Sequence, residues 1–207
     1  METNTKKQPT ESDLAVESPC MPSKNDIQDE EKNSVSQNQD TLKSLKMTDE
    51  LQAYKQTLVK IAAQKASDII STNDLPYSLC LISVIIDSAK QVVRILSFDE
   101  KLDYLSYASI FHSIVSAQER GVDVRILTLA DMKEDTSLDL YKGLVKSIPD
   151  NMYQQYKKVS PAFCAFVTGD DDMYRFDYVS DTFSGLGSFN DPNMTEKFNV
   201  VFDNIYK

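Results

Sequence analysis

The sequence predicts an α/β domain whose sheet contains both parallel and antiparallel strand pairs. Two β-branched runs, at residues 91–98 and 122–129, are separated by a helical pattern that ends at a glycine. This is the order of a βαβ unit, in which the two strands are parallel. Two further apolar runs, at residues 163–167 and 173–179, flank a glycine and three aspartates. That arrangement predicts an antiparallel hairpin.

Residues 1–47 are predicted to form a disordered leader, and residues 48–207 to form the folded domain. The leader is rich in Ser, Thr, Asn, Gln, Asp, Glu, Lys and Pro, and its few apolar residues show no period. Such a segment cannot bury enough apolar surface to offset its chain entropy. A leader that recruits a partner is the alternative to a passive one.

An extra helix is predicted to begin after Thr48 and to keep one apolar face as far as Ile70. A second helix follows from about Tyr77, and its apolar stripe leads into the first strand of the βαβ unit. The helix inside that unit is predicted from Lys101 to Arg120. Gly121 then ends it, because glycine adopts the left-handed conformation without steric cost.

After the βαβ unit, the apolar spacing predicts a helix over residues 137–148 and an exposed strand over 152–159. The hairpin follows, and then a glycine-bearing loop at 185–190. The last helix begins with Asp191 as N-cap and Pro192 in its first turn. Its apolar face predicts a core helix and consists of Met194, Phe198, Val201, Phe202 and Ile205.

Composition and charge limit the classes of partner. The net charge is −10 and no cluster of Lys and Arg is present, so we expect no nucleic-acid partner. No apolar run reaches the roughly 18 residues of a membrane span, and the first residues do not resemble a signal peptide. The three cysteines are widely spaced and predict neither disulfides nor a metal site. We expect a cytoplasmic protein without a cofactor or metal.

Three stretches together resemble one copy of a phospholipase D-like domain. They are ISVIIDSAKQVVRILSF at 82–98, QERGVDVRIL at 118–127 and GSFN at 187–190. The resemblance covers about residues 77–206 and implies a mixed sheet with helices on both faces. Residues 189–206 are also similar to short bacterial members of that superfamily that end in Phe-Asn-Asp-Pro and an amphipathic helix.

The catalytic motif of that family, His-x-Lys-(x4)-Asp, is missing. In the family the His attacks phosphorus, the Lys holds phosphoryl oxygens and the Asp supports both. A register that ends on Asp170 puts Phe163 and Ala165 in the places of His and Lys. A register that ends on Asp181 puts Tyr174 and Phe176 there. The first register fits the hairpin better, because the motif should lie on its first strand.

The whole chain has one histidine, His112, which lies inside a helical pattern between apolar residues. We interpret it as a half-buried helix residue and not as a nucleophile. Two active-site histidines are therefore unavailable within one chain. A homodimer that paired two copies of His112 would place them on the wrong element.

The predicted ligand-binding residues are Gly185, Gly187, Ser188 and Asn190, together with Asp170. The resemblance implies that the Gly-Ser region lines a phosphate pocket, and the backbone amides of such a loop can bind a small anion. Ser188 has no base beside it in the sequence. The aspartates at 170–172 could bind a cation, but we interpret them as a solvated turn.

The sequence thus favours a non-catalytic domain that acts as a binding or scaffolding module, with a protein partner or a second copy as its target. A divergent phosphodiesterase or nuclease that uses unidentified residues is the alternative. A nucleic-acid binder without catalytic activity is disfavoured by the net charge.

Overall fold

Seven strands and four α-helices occur in the part of the chain that the computed structural model describes, which is residues 42–97, 104–129, 140–141, 143–148, 164–178 and 183–206. The helices are α1 (Asp49–Gln64), α2 (Leu75–Ser88), α3 (Ala108–Glu119) and α4 (Pro192–Tyr206), and a 3₁₀ turn (Tyr104–Ser106) precedes α3. The strands are β1 (Ile70–Thr72), β2 (Val92–Ser97), β3 (Asp123–Leu129), β4 (Val145–Ile148), β5 (Phe166–Gly169), β6 (Met173–Asp177) and β7 (Gly185–Ser188).

The strands form one mixed sheet in the order β1-β7-β6-β5-β2-β3-β4. The pairs β2–β3 and β3–β4 are parallel, and the other pairs are antiparallel. The βαβ unit and the β5–β6 hairpin that the sequence predicts are therefore confirmed. Gly121 has φ +81° between α3 and β3, which is the left-handed conformation expected of it.

Helices cover both faces of the sheet. On one face, α1, α2 and α3 pack on strand residues such as Ile95 and Ile126. On the other face, Phe202 of α4 packs against β2, β3 and β5. The predicted fold class, an α/β domain with a mixed sheet and helices on both faces, is confirmed. None of the described helices is both long enough and apolar enough to cross a membrane.

Side-chain caps fix where the helices begin. The Thr48 hydroxyl accepts a hydrogen bond from the amide of Leu51 (3.2 Å) at the start of α1. The Asp191 carboxylate accepts one from the amide of Met194 (3.0 Å) at the start of α4. Both predicted caps are thus present. Pro76 lies in the first turn of α2, where its missing N–H costs no helical hydrogen bond.

Three predicted elements differ in the structure. The first helix ends at Gln64, because Lys65 turns the chain with φ +50° and Ile70 pairs with Gly187 in the sheet. Residues 145–148, predicted as the end of a helix, form β4 beside β3. The loop predicted at 185–190 is largely strand β7. The strand predicted at 152–159 and the start of the helix predicted at 137 lie outside the described residues.

The folded part begins before Thr48, at which the sequence analysis placed the boundary. Leu42 is buried in the larger of the two hydrophobic cores, which lies between the sheet and helices α1, α2 and α3. Lys43 donates its amide hydrogen to the carbonyl of Ser106 (2.8 Å) and accepts one from the amide of Ala108 (3.1 Å). Residues 42 and 43 therefore pack on the domain, whereas residues 1–41 of the predicted leader lie outside the described residues.

Candidate functional site

Asp170, one of the predicted ligand-binding residues, anchors the β5–β6 turn to the start of β2. Its carboxylate accepts hydrogen bonds from the amides of Lys90 (3.0 Å), Gln91 (2.8 Å) and Val92 (3.1 Å). Its own amide donates to the carbonyl of Val92 (2.8 Å). Asp170 adopts φ +51°, which aspartate tolerates better than most residues. The carboxylate is thus used by the backbone of its own chain.

The predicted glycine loop is a strand inside the sheet. Gly185, Gly187 and Ser188 are buried, and β7 pairs with β6 along one edge and with β1 along the other. Strand pairing therefore occupies backbone groups of β7, whereas the anion-binding hypothesis required free backbone amides there. Asn190 follows β7; it donates from its amide to the Ser188 hydroxyl (3.3 Å) and from its side chain to the carbonyl of Lys65 (2.8 Å). The structure brings Ser188 and Asn190 together, with Asn190 linking β7 to the end of α1.

His112 is exposed on α3, and its predicted half-burial is wrong. With Cys80 and Lys55 it lines a cavity of about 220 Å³ between the helices of the larger core. Burial raises the pKa of the Cys80 thiol above its ordinary value, so the thiol carries no charge at neutral pH. Among the described residues, no three side chains of the His, Cys, Asp and Glu types come together to hold a metal ion.

A buried polar cluster that the sequence analysis did not select lies at the end of the sheet opposite to the β5–β6 turn. Arg175 of β6 is 1% exposed, and its Nη2 lies 2.9 Å from Oδ1 of Asp177. Its Nη1 donates to the Tyr104 hydroxyl (3.0 Å), and Nη2 also donates to Oγ of Ser78 (3.0 Å). Tyr104 in turn donates to Oδ1 of Asp177 (2.6 Å). We call Arg175, Asp177, Tyr104 and Ser78 the Arg175 cluster.

A glycine on the neighbouring strand makes room for the guanidinium group. A Cβ atom added to Gly185 would lie 2.8 Å from Nη2 of Arg175 and 2.6 Å from the carbonyl oxygen of Phe176. Real Cβ atoms essentially never approach other heavy atoms so closely. Gly185 is therefore needed for the packing of Arg175.

Several buried polar atoms at this end have no hydrogen-bond partner among the described residues. Within the Arg175 cluster they are Nε of Arg175 and Oδ2 of Asp177. On the neighbouring parallel strands they are Oγ of Ser97 and Oγ1 of Thr128, which are paired in register. Buried polar atoms without partners are rare, and each requires an explanation such as a bound molecule or a functional role.

The position of these atoms in the sheet is that of a ligand site in many α/β proteins. Ser97 and Thr128 lie at the carboxyl ends of β2 and β3. The chain runs outward from β2 to β3 and β4 and then returns to β5 on the other side of β2, so the strand order reverses there. Ligands of open α/β sheets bind outside the carboxyl ends of strands at such a reversal. Ala165, whose carbonyl accepts from the amide of Asp177 (3.0 Å), lies at the same end.

Electrostatics keep the reactive groups of this site protonated. Burial raises the pKa of the Cys164 thiol to about 12, and the negative charge of Asp177 adds to the effect. Burial also raises the pKa of Tyr104 far above its ordinary value, which outweighs the opposing charge of Arg175. Burial alone would lower the pKa of Arg175, but Tyr104 and Asp177 more than compensate and raise it. The site therefore offers a neutral ion pair and uncharged hydroxyl and thiol groups.

Sequence reasoning missed Arg175, Asp177, Ser97 and Thr128. One signal was available: in MYRFD, Arg and Asp are two positions apart and so share one face of the strand. Buried charges need partners, and an Arg and an Asp on the same face of a strand are close enough to pair with each other. Tyr104 could not be found in this way, because it lies 71 residues from its partner Arg175.

No family profile matches the sequence, and no curated protein is similar to it. Among solved structures, the chain is similar to Nuc, a phospholipase D family member from Salmonella typhimurium (17% identity, 67% of this chain, 95% of that chain, TM-score 0.49). It is also similar to NucT from Helicobacter pylori (16% identity, 67% of this chain, 96% of that chain, TM-score 0.46). A third similar structure is TrmBL2, an archaeal chromatin protein that shows a novel mode of DNA binding (13% identity, 87% of this chain, 64% of that chain, TM-score 0.44). Likeness at this level carries no statement about activity or partners.

Proposed function

We propose that this chain is a phospholipase D-like domain that has lost phosphodiester cleavage and serves as a binding module. The order of the elements supports the fold part of the proposal. The βαβ unit, the hairpin, the strand that carries Gly187 and Ser188, and the closing helix follow one another as the sequence resemblance implies. The ligand would bind at the carboxyl ends of β2 and β3, beside the Arg175 cluster.

The observation that carries the proposal is the charge at this end of the sheet. In the better register of the family motif, Ala165 stands where a lysine would hold phosphoryl oxygens. Arg175 is a cation on the neighbouring strand β6, and Asp177 neutralises it at 2.9 Å. A neutral pair leaves no surplus positive charge for the phosphoryl oxygens of a transition state.

The lack of a nucleophile points the same way. The only histidine, His112, lies on the outside of α3, whereas the family nucleophile is expected on the first strand of the hairpin. Cys164 and Tyr104 are held protonated by burial, and a thiol or phenol in that state is a poor nucleophile. A divergent phosphodiesterase would need a base beside one of these groups.

The unpartnered atoms indicate which ligand chemistry suits the site. Ser97 and Thr128 offer hydroxyl groups, Asp177 offers one carboxylate oxygen and Arg175 offers one N–H. These groups complement an uncharged molecule with several hydroxyl or amide groups, including those on the surface of a protein partner. The net charge of −10 disfavours a nucleic acid.

The loss of catalysis is tested with a chromogenic phosphodiester, with and without divalent metal ions. We expect the full-length protein to give no turnover above the protein-free rate. Turnover that survives His112→Ala but is lost in Asp177→Asn would support the divergent phosphodiesterase instead. Turnover lost in His112→Ala would show that the exposed histidine is a nucleophile.

Binding is tested by two-dimensional NMR of the full chain with two probes, inorganic phosphate and myo-inositol. We expect myo-inositol to shift the amide signals of Ser97 and Thr128, and phosphate to leave them unchanged. The double variant Ser97→Ala/Thr128→Val should abolish the myo-inositol shifts. Shifts with phosphate alone would contradict the proposal, because they would show that this end of the sheet still binds phosphoryl groups.

A further inference from the structure

A cavity of about 630 Å³ lies beside α4, on the face of the sheet opposite to the Arg175 cluster. Residues of β2, of the β5–β6 turn and of α4 line it. Its volume is within the range of roughly 300–1,000 Å³ that is typical of sites for small ligands. None of the residues predicted from the sequence as a ligand site lines this cavity.

Arg94 forms a fixed part of the cavity wall. Its Nε and Nη2 donate to the two carboxylate oxygens of Asp203 (3.0 and 2.9 Å), a bidentate pair that holds the guanidinium plane in place. Arg94 is only 9% exposed, and its Nη1 has no hydrogen-bond partner in the part of the chain that the structure describes. The wall thus contains a preoriented donor that still needs an acceptor.

Asn199 is a second fixed residue of the wall. It is 8% exposed; its Oδ1 accepts from the hydroxyl of Thr168 (2.7 Å), and its Nδ2 donates to the carbonyl of Asp170 (3.1 Å). Val200 adds an apolar surface that is 53% exposed. The cavity therefore has rigid polar groups beside a free apolar strip, which is a preorganised arrangement.

The charges around the cavity favour a cation. Three carboxylates, Asp171, Glu196 and Asp203, and one guanidinium, Arg94, line it, so the lining carries a net charge of −2 (+1 − 3). The Asp203 carboxylate is already used by Arg94 and also lies 3.6 Å from Arg125. Asp171 and Glu196 are exposed and have no ion-pair partner among the described residues. These two carboxylates come from different elements and border one cavity.

We propose that this cavity binds a lysine residue of a partner peptide. The lysine ammonium lies between Glu196 and Asp171, its methylene chain lies along Val200, and a peptide carbonyl oxygen accepts from Nη1 of Arg94. An anion would be repelled by the net charge of the lining. A free polyamine would satisfy the carboxylates but would leave the Arg94 donor unpaired. This site is separate from the one under the proposed function, so each stands or fails alone.

The test is an NMR titration of the full chain with N-acetyl-lysine methylamide, which carries both an ammonium and two carbonyl groups. We expect shifts in the side-chain amide of Asn199 and the backbone amides of Glu196 and Val200. Glu196→Gln should weaken binding about three- to fivefold, the range of an exposed ion pair. The matched control Glu119→Gln, on α3, makes the same change in net charge and should leave binding unchanged.

A second probe, n-butylamine, keeps the ammonium and lacks the carbonyl groups. We expect it to bind at least about fivefold more weakly than N-acetyl-lysine methylamide, because the Arg94 donor then stays unpaired. Equal affinities would overturn the peptide assignment and indicate a site for free amines. Equal losses in Glu196→Gln and Glu119→Gln, or no shifts in the residues that line the cavity, would overturn the site itself.

Discussion

The two ends of the central sheet use polar side chains in opposite ways. At the hairpin end, where the turn at 170–172 lies, Asp170 and Asn190 bind backbone groups of other elements. At the opposite end, the side chains of the Arg175 cluster bind one another as well as Thr72 and the carbonyl of Phe183. Four buried polar atoms there, counting those of Ser97 and Thr128, are left without a described partner.

This difference separates side chains whose polar atoms are satisfied by the backbone from side chains that leave polar atoms without a described partner. A carboxylate that accepts three amides, as Asp170 does, has little capacity left for a ligand. Hydroxyl groups buried without partners cost stability, and natural proteins keep such costs mainly at functional sites. The sequence analysis chose its ligand residues because the family resemblance implies that the Gly-Ser region lines a phosphate pocket. Asp170, Ser188 and Asn190 of that set lie toward the hairpin end, whereas Gly185 pairs with Asp177 at the other end. The bonding of these side chains favours the other end.

The largest expected effect is that of Arg175→Met. The change leaves Asp177 buried without its charge partner, which typically costs about 3–5 kcal/mol. Urea melts measure the loss, with Lys60→Met on the exposed side of α1 as the control. The double variant Arg175→Met/Asp177→Leu should recover much of the stability, because it removes both charges. A melt of Arg175→Met that matches the wild type would mean that the cluster does not stabilise the fold.

The next effect belongs to the hairpin end. Asp170→Ala removes the acceptor of three amide hydrogen bonds and leaves an alanine at φ +51°, so we expect a loss of about 2–3 kcal/mol. Asp170→Asn should lose less, because asparagine keeps one acceptor oxygen and tolerates this conformation. Asp171→Ala, one residue on and exposed, is the control and should stay within about 0.5 kcal/mol of the wild type. Equal losses at both positions would refute the anchoring role of Asp170.

A smaller effect is expected from truncation at the start of the domain. Removing residues 1–41 should leave the melting temperature within about 2 °C. Removing residues 1–46 also deletes Leu42, which is buried, and the two backbone hydrogen bonds of Lys43. Losing one buried leucine costs about 2 kcal/mol, or roughly 4–8 °C for a domain of this size. Calorimetry of the two truncated chains decides the matter, and identical melting temperatures would show that residues 42–46 do not support the domain.

The smallest expected effect on stability is that of Ser97→Ala combined with Thr128→Val. Both hydroxyl groups are buried without a described partner, so replacing them by apolar groups should be neutral or slightly stabilising, within about 1 kcal/mol. Denaturant melts of the double variant measure this. A loss above about 2 kcal/mol would show that the hydroxyl groups are needed by the fold, which removes the reason to reserve them for a ligand.

Local signals in the sequence predicted much of the fold. Several predicted features depend mainly on residues close together in the chain, and each is present in the structure. They are the caps at Thr48 and Asp191, the glycine at 121, the βαβ order and the hairpin. A helix period was also a sufficient guide for α4, whose Phe202 is fully buried. Amphipathic helices and tight turns contain most of their own hydrogen bonds, so their sequences are sufficient to predict them.

Tertiary structure decided the rest. Residues 145–148 and 185–188 are strands only because neighbouring strands supply their hydrogen bonds, and short apolar or glycine-rich runs fit a helix or loop equally well on local grounds. The partners of Arg175 come from positions as far as 103 residues away in the chain. Which carboxylates are occupied and which hydroxyl groups are left over depends on such long-range contacts. The sequence by itself therefore determined the class of fold, and the packed structure determined which polar groups have partners and which are left over.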